Sequence, residues 1–134
     1  SLLKTSAGRR KSYSRDGYSN SDACDACRPF RRGMDRMIVI EGTIRLPVDR
    51  ITAARPAMEA MIRASRAEAG CLDYAYSIDL LDPGLVGITE RWENRKALTT
   101  HFATPHMTAW RAQFADLCIS DRSLRLYEAE AETI

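Results

Sequence analysis

The chain has 134 residues, of which 45% are hydrophobic and 28% charged, and a formal net charge of +2 at pH 7. These values fit a single globular domain and exclude collagen-like, coiled-coil and fully disordered chains. The chain has neither an apolar run near the roughly 20 residues of a membrane span nor a signal-peptide pattern at its start, so we expect a cytoplasmic protein with no membrane partner.

Residues 1–36 differ in composition from the rest of the chain. They hold nine Lys or Arg residues against four Asp, whereas residues 37–134 hold eleven basic against fourteen acidic residues. The segment has too few large aliphatic residues to bury much surface. We therefore predict a basic extension over 1–36 and one folded domain over 37–134. A nucleic-acid-binding arm is one interpretation of the extension, but its charges are more typical of a solvated segment, so nucleic acid is disfavoured as a partner.

The domain begins with a predicted strand, helix and strand. Residues 37–46 alternate between apolar and other side chains, which predicts a strand. Asp49 is a predicted helix N-cap, apolar residues then recur every three or four positions to about Gly70, and Pro56 should kink or delay this helix. Residues 71–79 alternate again and predict a second strand. The side chains predicted to share one face of that strand are Leu72, Tyr74, Tyr76 and Ile78.

The second half of the domain completes a recognisable order of elements. A turn at 82–84 precedes a third strand over 85–92, so these two strands predict a hairpin. Asn94 is a predicted cap of a short helix, Thr104 followed by Pro105 begins another, and the last strand covers 123–128. The order βαββαβ is that of an α+β, ferredoxin-like fold with the helices on one side of an antiparallel sheet.

One helical layer leaves the other face of such a sheet uncovered. Val86, Ile88 and Trp92 share one side of the third strand, while Leu85 lies on the other, so neither side is purely polar. We therefore predict a homodimer in which two copies pack sheet to sheet and enclose a cavity.

Both histidines fall in one short segment, His101–Met107. Imidazole titrates near neutral pH, so a histidine at a cavity could take a proton from a phenolic or enolic substrate. A structural role, such as capping a helix, is an equally open interpretation. The spacing between His101 and His106, with Pro105 between them, does not match the two-histidine pattern of a zinc-binding helix, and we predict no metal site.

The end of the third strand places a carboxylate beside an aromatic ring. Glu90 and Trp92 point to the same side because side chains alternate along a strand. Tyr74 and Tyr76 lie on the neighbouring strand, where their hydroxyl groups could orient a polar ligand. This combination suits a flat ring substrate, although Trp92 as core packing and Glu90 in an ion pair is the plainer interpretation.

Other motifs carry little information. Cys24 and Cys27 form a Cys-x-x-Cys, but a second pair of zinc ligands is missing from the sequence. The chain has no Gly-x-Gly-x-x-Gly, Walker or Gly-x-Ser-x-Gly motif, so nucleotide cofactors and serine-hydrolase chemistry lack their usual supports.

Three segments together resemble the antibiotic biosynthesis monooxygenase family, particularly its quinol monooxygenase branch. They are Glu68–Tyr74 between the first helix and second strand, Glu90–Glu93 at the end of the third strand, and His101–Met107. The resemblance covers about residues 37–128. It implies a dimeric α/β barrel that oxidises a small aromatic hydroquinone or polyketide-like substrate with O₂ and uses no cofactor.

The resemblance also implies roles for individual residues. His101 matches a family histidine and is the predicted base, while Trp92 and Tyr74 are predicted to contact the substrate ring. His106 is a secondary polar group, and Arg91 is a weaker candidate for stabilising an anionic oxygen. Relatives that degrade haem carry an Asn on the first strand, which this chain lacks, so haem degradation is disfavoured.

Two other functions stay open at this point. One is a non-catalytic dimeric barrel that binds a small apolar molecule. The other is isomerisation of a small phosphorylated sugar, for which Arg45, Arg91 and Arg111 could contact the phosphate.

Overall fold

The structure, a computed structural model, describes residues 36–134. The predicted extension, with Cys24 and Cys27, lies outside the described residues except for Arg36. The strands are β1 (Met37–Arg45), β2 (Cys71–Ile78), β3 (Leu85–Trp92) and β4 (Ser120–Ala129), and the helices are α1 (Ile51–Arg66), α2 (Arg95–Phe102) and α3 (Pro105–Ala112). None of the helices within 36–134 is long and apolar enough to cross a membrane.

The strands form one antiparallel sheet in the order β2-β3-β1-β4. This is the predicted ferredoxin-like α+β fold, and it is confirmed. The core lies between the helices and one face of the sheet, where alternate residues of β1 and β3 are buried. These strand residues are Ile38, Ile40, Ile44, Val86, Ile88, Glu90 and Trp92. The opposite face is mixed in character, with half-buried Val39 beside exposed Glu41 and Arg91.

Several element ends differ from the predictions. The predicted cap Asp49 lies in a short 3₁₀ turn, and the N-cap of α1 is Arg50, which makes no side-chain cap. Pro56 lies inside α1 without ending it. Its ring is exposed, so the carbonyl group that loses its partner there can bind water. β4 begins three residues earlier than predicted because pairing with β1 continues past a register shift between Thr43 and Arg45.

The prediction that four side chains of β2 share one face is wrong for the first of them, Leu72. A bulge between Cys71 and Asp73 shifts the register against β3, and Leu72 is half exposed. Tyr74 and Tyr76 share one face as predicted, and this is the helix-covered face, opposite Glu90 and Ile88 of β3. Ile78 at the other end of the strand is 43% exposed, so of the four predicted residues only Tyr74 and Tyr76 pack in the core.

β1 and β4 approach each other closely at Gly42. A Cβ atom at this position would lie 1.9 Å from the Ser123 carbonyl oxygen and 2.8 Å from Leu124 Cα, which are backbone atoms that cannot rotate away. At Gly87 of β3 the nearest atom to such a Cβ is the Ser77 hydroxyl oxygen, at 2.8 Å, and this side chain can rotate. The two glycines therefore differ in what an added methyl group would displace.

We expect Gly42→Ala to lower the free energy of unfolding by about 1–3 kcal/mol, the usual cost of overpacking a tight site. Gly87→Ala is the matched control and should cost clearly less, because only a side chain has to move. Urea denaturation of both variants checks this. An equal loss of unfolding free energy in the two variants would contradict the close backbone contact between β1 and β4 at Gly42.

Candidate functional site

A cavity of about 400 Å³ lies between the helix-covered face of the sheet and α3. This gap lies above β2 and β3, between the sheet and the helical layer of one subunit. The cavity predicted between two copies is a different one, and it stays a prediction. The lining residues are Ile44, Tyr74, Tyr76, Ile88, Glu90, Met107, Trp110, Arg111, Phe114, Arg122 and Leu124.

Glu90 supplies the cavity with a buried carboxylate. Its exposed fraction is 5%, and the indole N–H of Trp92 donates a hydrogen bond of 3.0 Å to its Oε2. Burial raises the pKa of Glu90 above its ordinary value, while the Trp92 hydrogen bond and the charge of Arg122 act in the opposite direction. A carboxylate with a raised pKa is a stronger base than one in water, so Glu90 can accept a proton from a bound acid.

Two tyrosines line the cavity next to this carboxylate. The hydroxyl oxygens of Tyr74 and Tyr76 lie 3.0 Å apart and share a hydrogen bond. Burial raises the pKa of Tyr76 to about 12 and shifts that of Tyr74 in the same direction. Both phenols are therefore protonated at neutral pH and act as hydrogen-bond donors or acceptors, not as bases.

The remaining wall is apolar and partly aromatic, and the rim is cationic. The rings of Tyr76 and Trp110 have centroids 6.0 Å apart, and Phe114 meets Trp110 edge to face at 5.4 Å. Arg111 and Arg122 are exposed residues that also line the cavity, so their guanidinium groups lie at its mouth. Such a space favours a flat apolar ring that carries an acidic or anionic oxygen.

His101 lies behind this cavity and is not among its lining residues. Its side chain is completely buried, and its ring lies against Trp92 with centroids 4.5 Å apart. Nδ1 lies 3.0 Å from each carboxylate oxygen of Glu68, whereas Nε2 has no hydrogen-bond partner among residues 36–134. Burial lowers the pKa of His101, and the Glu68 carboxylate opposes that shift.

Glu68 connects the two histidines. Its Oε1 also contacts Nε2 of His106, and one ligand-type atom from each of the three residues lies within 4.8 Å of the others. A carboxylate and two imidazoles at this separation could hold a metal ion. In the sequence, Glu68 is only part of a segment that resembles the family, and no role is predicted for it.

The predicted site residues therefore divide into three groups. Tyr74 and Glu90 line the cavity, with Trp92 directly behind Glu90. His101 and His106 belong to the cluster around Glu68. Arg91 lies on the opposite face of the sheet, where it forms an ion pair of 3.0 Å with Asp73, so the structure places it away from the cavity.

Some residues that line the cavity have no function predicted from the sequence. Trp110 belongs to α3, and Phe114 lies just past the end of that helix. Arg122 lies before the predicted start of the last strand, so its position on the sheet cannot be read from that strand's alternation. Its only sequence signal is a basic residue one strand period before Leu124, which shares the helix-covered face.

Comparison with known proteins places this fold and site in a family. Residues 37–113 match the antibiotic biosynthesis monooxygenase family, which is more than half of the chain. The chain therefore belongs to this family, as its resemblance implied. An uncharacterised protein of Synechocystis is 30% identical over 104 residues, which cover 77% of this chain and 71% of that protein.

Solved structures agree with this assignment. A candidate antibiotic biosynthesis monooxygenase from Deinococcus radiodurans is 35% identical, with a TM-score of 0.68, and the match covers 72% of this chain and 97% of that one. The protein Rv0793 from Mycobacterium tuberculosis is 26% identical, with a TM-score of 0.65, over 73% of this chain and 99% of that one.

The buried carboxylate should affect stability as well as chemistry. Because the pKa of Glu90 is raised in the folded chain, the native state holds this proton at a pH where the unfolded state has lost it. The free energy of unfolding should therefore fall as pH rises from about 4.5 through the folded-state pKa of Glu90. Glu90→Gln keeps an acceptor for Trp92, so we expect it to be more stable than the parent at pH 7 and similar to it at pH 4.

Urea denaturation at both pH values measures this difference. Glu93→Gln is the matched control, because Glu93 is exposed and lies outside the cavity lining. Its free energy of unfolding should stay near that of the parent at both pH values. A Glu90→Gln variant that is less stable than the parent at pH 7 would contradict the conclusion that burial of the Glu90 carboxylate is only partly compensated.

Proposed function

We propose that the protein is a cofactor-independent monooxygenase that oxidises a small aromatic hydroquinone or polyketide-like ring with O₂, as a homodimer in the cytoplasm. The observation that carries this proposal is the buried Glu90 carboxylate in an aromatic cavity. Family membership supports the general class of reaction. The lining of this particular chain supports the choice of an acidic aromatic substrate.

Deprotonation is the step that the cavity is suited to assist. Ground-state O₂ accepts electrons one at a time, and a phenolate gives up an electron more readily than a phenol does. Glu90 would take the phenolic proton, while Tyr74 and Tyr76 can donate hydrogen bonds to the developing oxyanion. The cations of Arg111 and Arg122 at the mouth favour the anionic form of the substrate.

The overall reaction needs no external reductant. A hydroquinone and O₂ give a hydroxyquinone and one water molecule, so one oxygen atom enters the ring and the other leaves as water. The substrate supplies all the electrons. The protein's contribution is then a base, an apolar space that excludes water and stabilisation of the anion.

The geometry favours Glu90 over His101 as the base. A base has to reach the proton that it removes, and Glu90 lines the cavity whereas His101 lies behind Trp92. The role of His101 as base stays a prediction from the family resemblance, and the same experiment tests it. The phosphorylated-sugar alternative is less well supported, because a buried carboxylate would repel a phosphate inside the cavity.

We expect the parent protein to accelerate O₂ consumption by menadiol above the rate of autoxidation. Glu90→Gln should lower kcat by roughly 10²–10⁴-fold, the usual contribution of a general base, with a smaller effect on KM. Glu93→Gln should keep the parental rate. An oxygen electrode measures these rates, and mass spectrometry of the product in ¹⁸O₂ checks that one labelled atom enters the ring.

Three results would change the assignment. Unchanged turnover in Glu90→Gln with loss of turnover in His101→Ala would support the histidine as base instead of Glu90. Saturable quinone binding without turnover would support the non-catalytic binder. Hydrogen peroxide formed in place of labelled product would show an oxidase and contradict a monooxygenase.

The homodimer is tested separately by size-exclusion chromatography with light scattering. We expect a molar mass of twice the chain's 15.1 kDa, because one face of the sheet has no covering layer among residues 36–134. A mass of 15.1 kDa at micromolar concentration would contradict the dimer. It would leave the cavity in place, since one chain supplies its lining.

A further inference from the structure

Three helix ends meet at the cluster formed by Glu68, His101 and His106. Glu68 lies two residues past the end of α1, His101 is in the last turn of α2, and His106 is the second residue of α3. Glu68 lies 33 positions before His101, so only the fold brings this carboxylate to the two histidines. The cluster is separate from the cavity, because none of the three residues lines it.

Ordinary hydrogen bonding does not account for all the contacts in this cluster. Nδ1 of His101 lies 3.0 Å from both oxygens of Glu68, so it points between them. Nε2 of His106 is buried and touches Glu68 Oε1, yet it lacks hydrogen-bond geometry with any residue of 36–134. Buried polar atoms are normally satisfied, so an unpartnered nitrogen beside a carboxylate calls for a further partner.

We propose that Glu68, His101 and His106 bind a divalent first-row transition metal ion, with Zn²⁺ as the simplest candidate. The three ligand-type atoms lie within 4.8 Å of one another, which is compatible with coordination of a common ion. Two imidazoles and one carboxylate are a borderline donor set that suits such ions better than Mg²⁺ or Ca²⁺, which prefer oxygen ligands alone. Water would complete the coordination.

The surroundings of the cluster fit an ion that enters from one side. The His101 side chain is fully buried, while those of Glu68 and His106 are 14% and 25% exposed, so access is from the side of His106. Nε2 of His101 makes no hydrogen bond within 36–134 that would fix the ring tautomer, so Nδ1 can be the unprotonated nitrogen that binds metal.

Such an ion would join the ends of α1, α2 and α3. Its effect would therefore be on the stability of the helical layer, and it takes no part in the proposed oxidation. This makes the inference independent of the proposed function. Metal binding can be present in a protein without oxygenase activity, and activity can be present without metal.

Titration of the full chain with Co²⁺ tests the proposal, using protein without an affinity tag and stripped of metal with a chelator. Visible absorption of bound Co²⁺ reports the number of sites and the donor type, and Zn²⁺ competition gives the affinity. The Cys24→Ser/Cys27→Ser double variant is the background, because that Cys-x-x-Cys could bind metal by itself. We expect one equivalent of Co²⁺ per chain in this background.

Glu68→Gln and His106→Gln should each weaken binding by more than about tenfold, since losing a direct ligand costs at least as much as losing an outer-shell contact. Glu59→Gln is the control, because Glu59 belongs to α1 and pairs with Arg55 away from the cluster. It should bind metal like the background protein. Zn²⁺ should also raise the Tm of the background and of Glu59→Gln, but not of the two ligand variants.

Far-UV circular dichroism establishes that each variant is folded before titration. If one of the two ligand variants fails to fold, the Co²⁺ affinity of the other still tests the proposal, since each variant removes a different ligand. The proposal is overturned if the double cysteine variant binds no Co²⁺. It is also overturned if a folded Glu68→Gln or His106→Gln variant binds as tightly as the background.

Discussion

The hydrogen bond from the Trp92 indole to the Glu90 carboxylate is the interaction on which the candidate site depends. A carboxylate on the inner face of a sheet loses its hydrogen bonds to water, and the Trp92 indole replaces only one of them. The cost of burying this carboxylate is offset by the packing of apolar and aromatic residues from β1 and β2, which lie on either side of β3. A proton acceptor is thereby kept in a place where water would otherwise compete for the proton.

The order of elements follows from local patterns in the sequence, and the sheet topology is the one typical of that order. The patterns that located the elements are the alternation in β1 and β3, the turn at 82–84 and the caps Asn94 and Thr104. Both cap side chains accept a hydrogen bond from a backbone N–H group, as expected. The errors in the strands arise where tertiary pairing overrides local pattern. A bulge removes Leu72 from the inner face, and pairing with β1 lengthens β4 at its start. Alternation alone carries no information about either irregularity.

The candidate site was only partly accessible to sequence reasoning. Strand periodicity was enough to place Glu90 beside Trp92 and to group Tyr74 with Tyr76. It could not show that α3 stands away from the sheet and leaves a cavity there, or that Arg122 reaches its mouth. The contact between Glu68 and His101 spans 33 positions and depends on how two helix ends pack, so no spacing rule could reveal it.

The position of α3 and of the segment that follows it along the cavity wall has a consequence for how such proteins diversify. Side chains of α3 and of the segment that follows it can be exchanged to reshape the space above β2 and β3, while the reverse side of the sheet keeps its own sequence. The size and polarity of the cavity can thus change while the sheet stays the same. Homologues with the same fold can consequently accept quite different compounds, and a shared fold is a poor guide to the molecule each one consumes.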